Sequence, residues 1–207
     1  MFGGRVNLNI YDFGVYIDPG ALRASSCAAA LAASPPAAPA FGRALRSADD
    51  VPMTLAVRLR HTLPVPMLRS EYRRILGRRV ARVGGSPSDA ALDRMISHFR
   101  ADALPPGARA GRGSVKKGTV LEFVRGPGGS LAASADGVPI VRVESPALAA
   151  AVFDIYVGDM PVSPEAKLEA CAAAAALVAG TERPPRRAGA LVCAGGDAAA
   201  AACPRGG

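Results

Sequence analysis

Apolar and polar positions alternate from the start of the chain. Val6 to Ile17 reads V-N-L-N-I-Y-D-F-G-V-Y-I, the period-two pattern of a strand with one buried face, and Asp18-Pro19-Gly20 ends it in a turn. Met53 to His61 repeats the pattern, with Leu55, Val57 and Leu59 on one side and Thr54, Arg58 and Arg60 off it. At Met67 the period changes. Leu68, Tyr72, Ile75, Leu76, Val80 and Val83 recur at spacings of three and four with arginines opposite, which predicts an amphipathic helix from Met67 to Val83, stopped by Gly84-Gly85. Ser86-Pro87-Ser88-Asp89 predicts the start of another helix, with Ser86 as N-cap and an apolar stripe of Leu92, Met95, Ile96 and Phe99. Three strand signals follow, at Thr119–Val124, Ser130–Ala135 and Val138–Val143, and Asp136-Gly137 between the last two is a two-residue hairpin turn. Ser145-Pro146 caps a helix running to about Val157, which buries Leu148, Val152, Phe153 and Tyr156. Ser163-Pro164-Glu165 opens the last helix, which ends near Gly180.

The remaining segments are irregular by composition. Ala21 to Arg46 is rich in Ala, Pro and Ser, with Ser34-Pro35-Pro36 and Pro39 inside it. The pattern predicts a short helix over Ala21–Ala33, then a loop, the stretch 24–47 being an insertion over the surface. Ala103–Gly113 reads as a Pro/Gly/Arg loop. Thr181–Gly207 is low-complexity Arg, Pro, Ala and Gly and is expected to be a disordered tail, so residues 1–180 form the single domain. Strands interrupted by helix pairs imply an α+β fold, an antiparallel sheet with helices on one face, and the groove between the layers is the default ligand site.

Composition removes several classes of function. Half of the 207 residues are hydrophobic, but much of that is alanine, and tryptophan is absent. The net charge of +8 comes almost wholly from arginine, lysine appearing only at Lys116, Lys117 and Lys167. The arginines are scattered and no aromatic-interleaved basic platform accompanies them, so no nucleic-acid partner is expected and the charge reads as a solvated surface. Cys27, Cys171, Cys193 and Cys203 match no zinc spacing, and His61 and His98 are not near them, so no metal or cofactor is implied. Cys171, inside an alanine run, reads as a small buried apolar residue, and the cysteines are expected as free thiols in a reducing compartment. No segment has the ~18 continuous apolar residues of a membrane span. Strand alternation within the first ten residues is unlike a signal or transit peptide. Gly126-Pro127-Gly128-Gly129 reads as a hairpin loop rather than a phosphate cradle, since no helix follows it. Glu122 and Glu144 lack a paired carboxylate for acid–base work, and Lys116-Lys117 reads as a solvated edge.

One segment is more specific than any of these. Ser145 to Lys167, S-P-A-L-A-A-A-V-F-D-I-Y-V-G-D-M-P-V-S-P-E-A-K, resembles the signature of the chalcone-isomerase family, and is especially similar to its non-enzymatic plant and algal members, the plastid fatty-acid-binding proteins. Ile10 to Tyr16 resembles the family's first long strand. Asp50 to Gly85 with Asp89 to Phe99 resembles its central strand and helix pair. The likeness runs from about residue 3 to 180, interrupted at 24–47. It implies the chalcone-isomerase fold, an open-faced antiparallel sheet with helices packed on one face. It further implies a fatty acid or similar amphiphile as ligand, in an apolar slot around Phe153 and Tyr156, and a place in the chloroplast stroma. The alternatives are a chalcone–flavanone isomerase (an intramolecular lyase) of flavonoid biosynthesis, or a non-binding auxiliary protein with an enzyme partner.

The resemblance carries over residue by residue, and most of the isomerase's groups are missing. Where the family's enzymes have a threonine on the first hairpin, this chain has Tyr11. The late Thr/Ser falls on Ile155, and the tyrosine and asparagine near the central junction fall on or beside Leu68 and Ile75. Each donor lost from such a site forfeits roughly 3 kcal/mol of transition-state stabilisation, so no catalytic residue is assigned. Tyrosine at the threonine position marks the fatty-acid-binding branch, where it and an arginine of the preceding strand clamp a carboxylate. Tyr11 is therefore the candidate ligand-binding residue, against its reading as a half-buried strand aromatic beside Phe13 and Tyr16. The clamp arginine belongs about a dozen residues before Tyr11. Arg5 is too near and on the same strand, and the sequence is expected to be truncated at its N-terminus or to lack that edge strand.

Overall fold

The alternating segments pair into one antiparallel sheet, which the computed structural model describes within residues 10–33, 35–36, 38–111 and 113–180. In chain order the elements are β1 (Tyr11–Ile17), α1 (Pro19–Ala24), α2 (Ala28–Ala33), α3 (Pro39–Ser47), β2 (Met53–Leu59), β3 (Leu63–Pro64), α4 (Val65–Arg82) and α5 (Ala90–His98). Then come β4 (Arg109–Ala110), β5 (Ser114–Val115), β6 (Val120–Arg125), β7 (Ser130–Ala135), β8 (Val138–Glu144), α6 (Pro146–Val157) and α7 (Pro164–Val178). The main sheet has the order β1-β2-β6-β7-β8. Positions 6–9 of the expected first strand, Arg5 and the expected tail at 181–207 lie outside the described residues.

Register follows from the alternation. Tyr11, Phe13, Val15 and Ile17 stand opposite Leu59, Val57, Leu55 and Met53, and that row continues through Leu121, Phe123 and Arg125 to Ala135, Ala133 and Leu131. A one-residue slip would turn the whole row to water, which is why a one-sided core fixes the pairing. The Asp136-Gly137 hairpin has both central residues at positive φ, 48° and 77°, as a type I′ turn requires, and Asp136 Oδ1 accepts from the Val120 amide at 2.8 Å.

The helices cover one face of this sheet. α6 is apolar nearly all round, and Leu148, Ala149 and every residue from Ala151 to Val157 are buried, because it lies between α3, α4, α7 and β7. Its N-cap Ser145 joins it to α5: Ser145 Oγ accepts from the Leu148 amide and donates to Asp89 Oδ2 at 2.8 Å, while Asp89 Oδ1 accepts from the Ala91 amide at 2.7 Å. The N-cap of α5 is thus Asp89 rather than the expected Ser86. Its carboxylate caps α5 and accepts from the hydroxyl that caps α6, while Ser86 Oγ accepts from the Ser88 amide at 3.3 Å. α4 starts at Val65, before Met67, because Pro66 sits in a first turn that has no use for its missing amide hydrogen. The loop expected over 103–113 contains a turn of 3₁₀ helix at Pro106–Ala108 and β4, which pairs with β5 and through it with β3.

The largest correction concerns 39–46. It is not a loop laid over the surface. Pro39 opens α3 at a first-turn position, and α3 buries Phe41, Gly42 and Leu45. Leu22 of α1 and Leu31 of α2 are buried too, at 0% and 1% exposure. A Cβ on Gly42 would overlap the Val157 carbonyl, so α3 crosses α6 at backbone contact. The expected single helix over Ala21–Ala33 is two, parted at 25–27, where Ser25 Oγ turns back to the Leu22 carbonyl at 2.7 Å.

Two buried charges tie these helices down. Asp154, fully buried in α6, bonds Arg46 of α3 through Oδ1 and Arg79 of α4 through Oδ2 at 2.7 Å. Arg125 at the inner end of β6, 1% exposed, donates to the carbonyls of Arg46 at 2.6 Å, Val51 at 3.1 Å and Leu45 at 3.4 Å. The C-terminus of α3 is thereby capped by a cation.

If α3 belongs to the core, Phe41→Ala will cost about 3–5 kcal/mol in chemical denaturation. A loop position would lose less than about 0.5 kcal/mol.

Candidate ligand-binding site

The chain has four tyrosines and six phenylalanines, and Tyr11, Phe13, Tyr72, Phe99, Phe123 and Tyr156 meet between the sheet and the helices. β1 supplies Tyr11 and Phe13 at successive inward positions, their rings edge to face with centroids 6.4 Å apart. Phe13 packs on Tyr156 of α6 at 4.4 Å. Tyr72 of α4 lies 5.6 Å from both Phe99, just after α5, and Phe123 of β6. The rest of the wall is aliphatic.

The polar content is phenolic. Burial, then the neighbouring hydroxyls of Tyr11 and Tyr72 and a hydrogen bond with Tyr11, push the Tyr156 phenol well above its ordinary value. Burial, then Tyr11, raises that of Tyr72. One tyrosine from a strand and two from helices thus belong to one aromatic cluster, and Tyr72 and Tyr156 hold their protons across the neutral range. Tyr11, Phe13 and Tyr72 are only half-buried, so this end of the interior is within reach from outside.

Tyr11 thus faces the interior as expected, with partners that sequence reading assigned to the helices' packing stripes. The signal available for Tyr72 and Tyr156 was a polar tip on the inward face of two helices that the fold brings against β1. The expected slot around Phe153 and Tyr156 is only half right. Tyr156 belongs to the cluster, but Phe153 is fully buried under the Arg125 guanidinium, 5.3 Å from ring centroid to charge. The positions carried over from the isomerase, Ile155 and Leu68, are buried apolar side chains, and Ile75 is partly buried. Arg60 turns to the far face of the sheet and holds Asp12 at 2.7 Å. Lys116 and Lys117 are exposed, Glu122 accepts from Ser134 at 3.0 Å, and Glu144 pairs with Arg142 at 3.0 Å. Among the described residues there is no cluster of three metal-ligating side chains, and no helix is long and apolar enough to cross a membrane. Cys171 is buried, its thiol pushed up to about 11 by desolvation.

At the opposite end of the sheet lies a cavity of about 250 Å³ lined by Arg46, Ser47, Asp49, Arg125 and the first turn of α6. Its two cations already serve the fold, Arg46 through Asp154 and Arg125 through the α3 carbonyls. Desolvation pushes Arg125 down to about 10, which leaves it charged at neutral pH.

The arrangement, an antiparallel sheet covered on one face by helices with an aromatic interior between them, matches the chalcone-isomerase-like fold. The crystal structure of a fatty-acid-binding protein from Arabidopsis thaliana matches it with a TM-score of 0.69 and 23% identity, over 86% of this chain and 84% of that one. In sequence the chain is 24% identical over 169 residues to Fatty-acid-binding protein 1 of Arabidopsis thaliana, across 79% of this chain. It spans 56% of that relative's length. No family model matches the chain.

The raised phenols give a pH prediction. Tyr72 and Tyr156 keep their protons in the fold above pH ~10, where phenols of the unfolded chain ionise. The stability this represents is whole below pH ~10 and is lost as pH rises toward the folded values. Ultraviolet difference absorbance will show these two phenols ionising only with the loss of tertiary structure, and Tyr156→Phe will remove one of the late-titrating groups.

Proposed function

We propose that this chain is a non-catalytic fatty-acid-binding protein. The observation that carries the reading is the meeting of Tyr11, Tyr72 and Tyr156 with Phe13, Phe99 and Phe123 in an apolar interior where Tyr11, Phe13 and Tyr72 are only half-buried. A carboxylate is met there by phenolic donors, and its acyl chain lies along Phe13, Phe123 and the aliphatic wall, displacing ring contacts made there now. The name of the Arabidopsis protein that matches in both sequence and structure supports the same ligand class. Buried Ile155 and Leu68, where an isomerase needs donors, favour binding over ring closure. The setting that fits is plastid fatty-acid metabolism, in the stroma, and an enzyme partner remains a subordinate proposal tested by affinity capture.

Titration of delipidated protein with a long-chain fatty acid will show saturable binding. Tyr11→Phe, which keeps the ring and removes the donor, will weaken it about tenfold, the value of one hydrogen bond to a charged group. Folded protein that binds no fatty acid would overturn the reading. Chalcone closure will not exceed the spontaneous rate, and acceleration would favour the isomerase instead.

A further inference from the structure

α4 presents two different faces. Its inner stripe carries Tyr72 and Leu76 toward the core, and its outer stripe is cationic. The helix holds Arg69, Arg73, Arg74, Arg78, Arg79 and Arg82 against one acid, Glu71. Arg79 turns inward to Asp154, Arg73 pairs with Asp93 of α5, and Arg74 pairs with Glu71, the last two at 2.6 Å. Those acids are therefore neutralised, and Arg69, Arg78 and Arg82 have no carboxylate partner among the described residues. Met67, Arg74, Arg78 and Arg82 follow one another at spacings of seven, four and four, which places them on one outward stripe. Met67 is 41% exposed, and Arg78 and Arg82 are exposed.

Exposed apolar side chains also stand on the turn that α4 holds through Arg79. The turn between α6 and α7 is pinned to α4 by Arg79, whose Nη2 donates to the Met160 carbonyl at 2.5 Å. Met160 is 63% exposed and Val162 48%, while Asp159 in the same turn is paired with Arg43 at 3.1 Å. Unpaired arginines flanked by protruding apolar side chains match a bilayer surface, where anionic headgroups face the charge and the interfacial layer takes up the apolar tips.

We propose that the outer face of α4, with Met160 and Val162, docks on an anionic lipid bilayer. Docking there sets the helix that carries Tyr72 against the membrane, so that an acyl ligand passes between bilayer and interior; this second clause rests on the fatty-acid-binding reading, whereas the docking does not.

The test is cosedimentation of the full chain with vesicles of phosphatidylcholine alone or mixed with phosphatidylglycerol, with no fatty acid added. The expected result is binding to the mixed vesicles only, reversed by high salt and lowered about tenfold or more by Arg78→Glu with Arg82→Glu. Met160→Ser with Val162→Ser will lower it several-fold while leaving the salt dependence in place. These positions are exposed, so unchanged thermal unfolding checks that the variants fold. Protein that stays in the supernatant overturns the docking. So does serine substitution without effect, or equal retention on polyglutamate, either of which would mark a site for an acidic protein. Fatty-acid titration of Arg78→Glu/Arg82→Glu in solution keeps the two readings apart: it will match the parent protein whether or not vesicles bind.

Discussion

Asp154 is the point on which the helix layer turns. It is wholly buried, and a lone carboxylate in that position would be too costly to keep. Arg46 from α3 and Arg79 from α4 reach it from two sides, so one charge in α6 fixes the positions of two other helices. Arg79 also donates to the Asp154 and Met160 carbonyls, and Lys167 of α7 donates to the Gly158 carbonyl at 2.8 Å, which closes the end of α6. Gly158 is required there because a Cβ would overlap the Asp154 carboxylate. Such an arrangement adds less net stability than its bonds suggest, since three charges lose water to make it. Its effect is on geometry: once α6 is hydrophobic on every side, apolar packing alone leaves its rotation loosely set, and Asp154 sets it. That rotation aims Tyr156, two residues on, at β1.

Arg125 does the same for α3. It takes an inward position on β6 where alternation calls for an apolar side chain, and it exchanges water for three carbonyls, the Met53 sulfur at 2.8 Å and the face of Phe153. The charges thus gather at one end of the sheet, around the C-terminus of α3. The other end, at Tyr11, is aromatic, and among the described residues its inner face carries no ion pair. Separation of these two regions along the same strands is what lets one interior carry both a charged framework and an apolar, aromatic region.

How much of this could be read in the chain depended on how large the inward side chains are. β2 and the β7–β8 hairpin were legible because Val, Leu and Ile alternate with polar residues and because Asp-Gly permits only a narrow set of turns. α6 was legible from Ser145-Pro146 and its buried stripe. α1 and α2 were legible only as one short helix and α3 not at all, because each contributes only one or two large apolar residues, Leu22, Leu31, Phe41 and Leu45, set among alanines that look the same inside and out. Pro39, taken as a breaker, is a helix starter. Tyr11 was visible only through the family resemblance, and Tyr72 and Tyr156 passed as packing residues because a buried phenol and a buried phenylalanine have the same periodicity. Spacing along one element reports which way a side chain points, but not which other hydroxyls it will meet there.

The chemistry left at that meeting point constrains what the interior can do. Phenols held above their ordinary range are donors and poor bases, so Tyr72 and Tyr156 can hydrogen-bond an oxygen but will not take up a proton at neutral pH. Polarising an enone and guiding a phenolate onto it needs donors that strengthen as charge develops, placed at a fixed distance from both reacting atoms. Holding a headgroup at the rim of an apolar interior asks for less: donors at one end, hydrocarbon beyond them, and rings able to yield. On the proposed reading, half-buried Tyr11, Phe13 and Tyr72 are placed for that lesser requirement, and Ile155 and Leu68 offer no side-chain donor for the greater one.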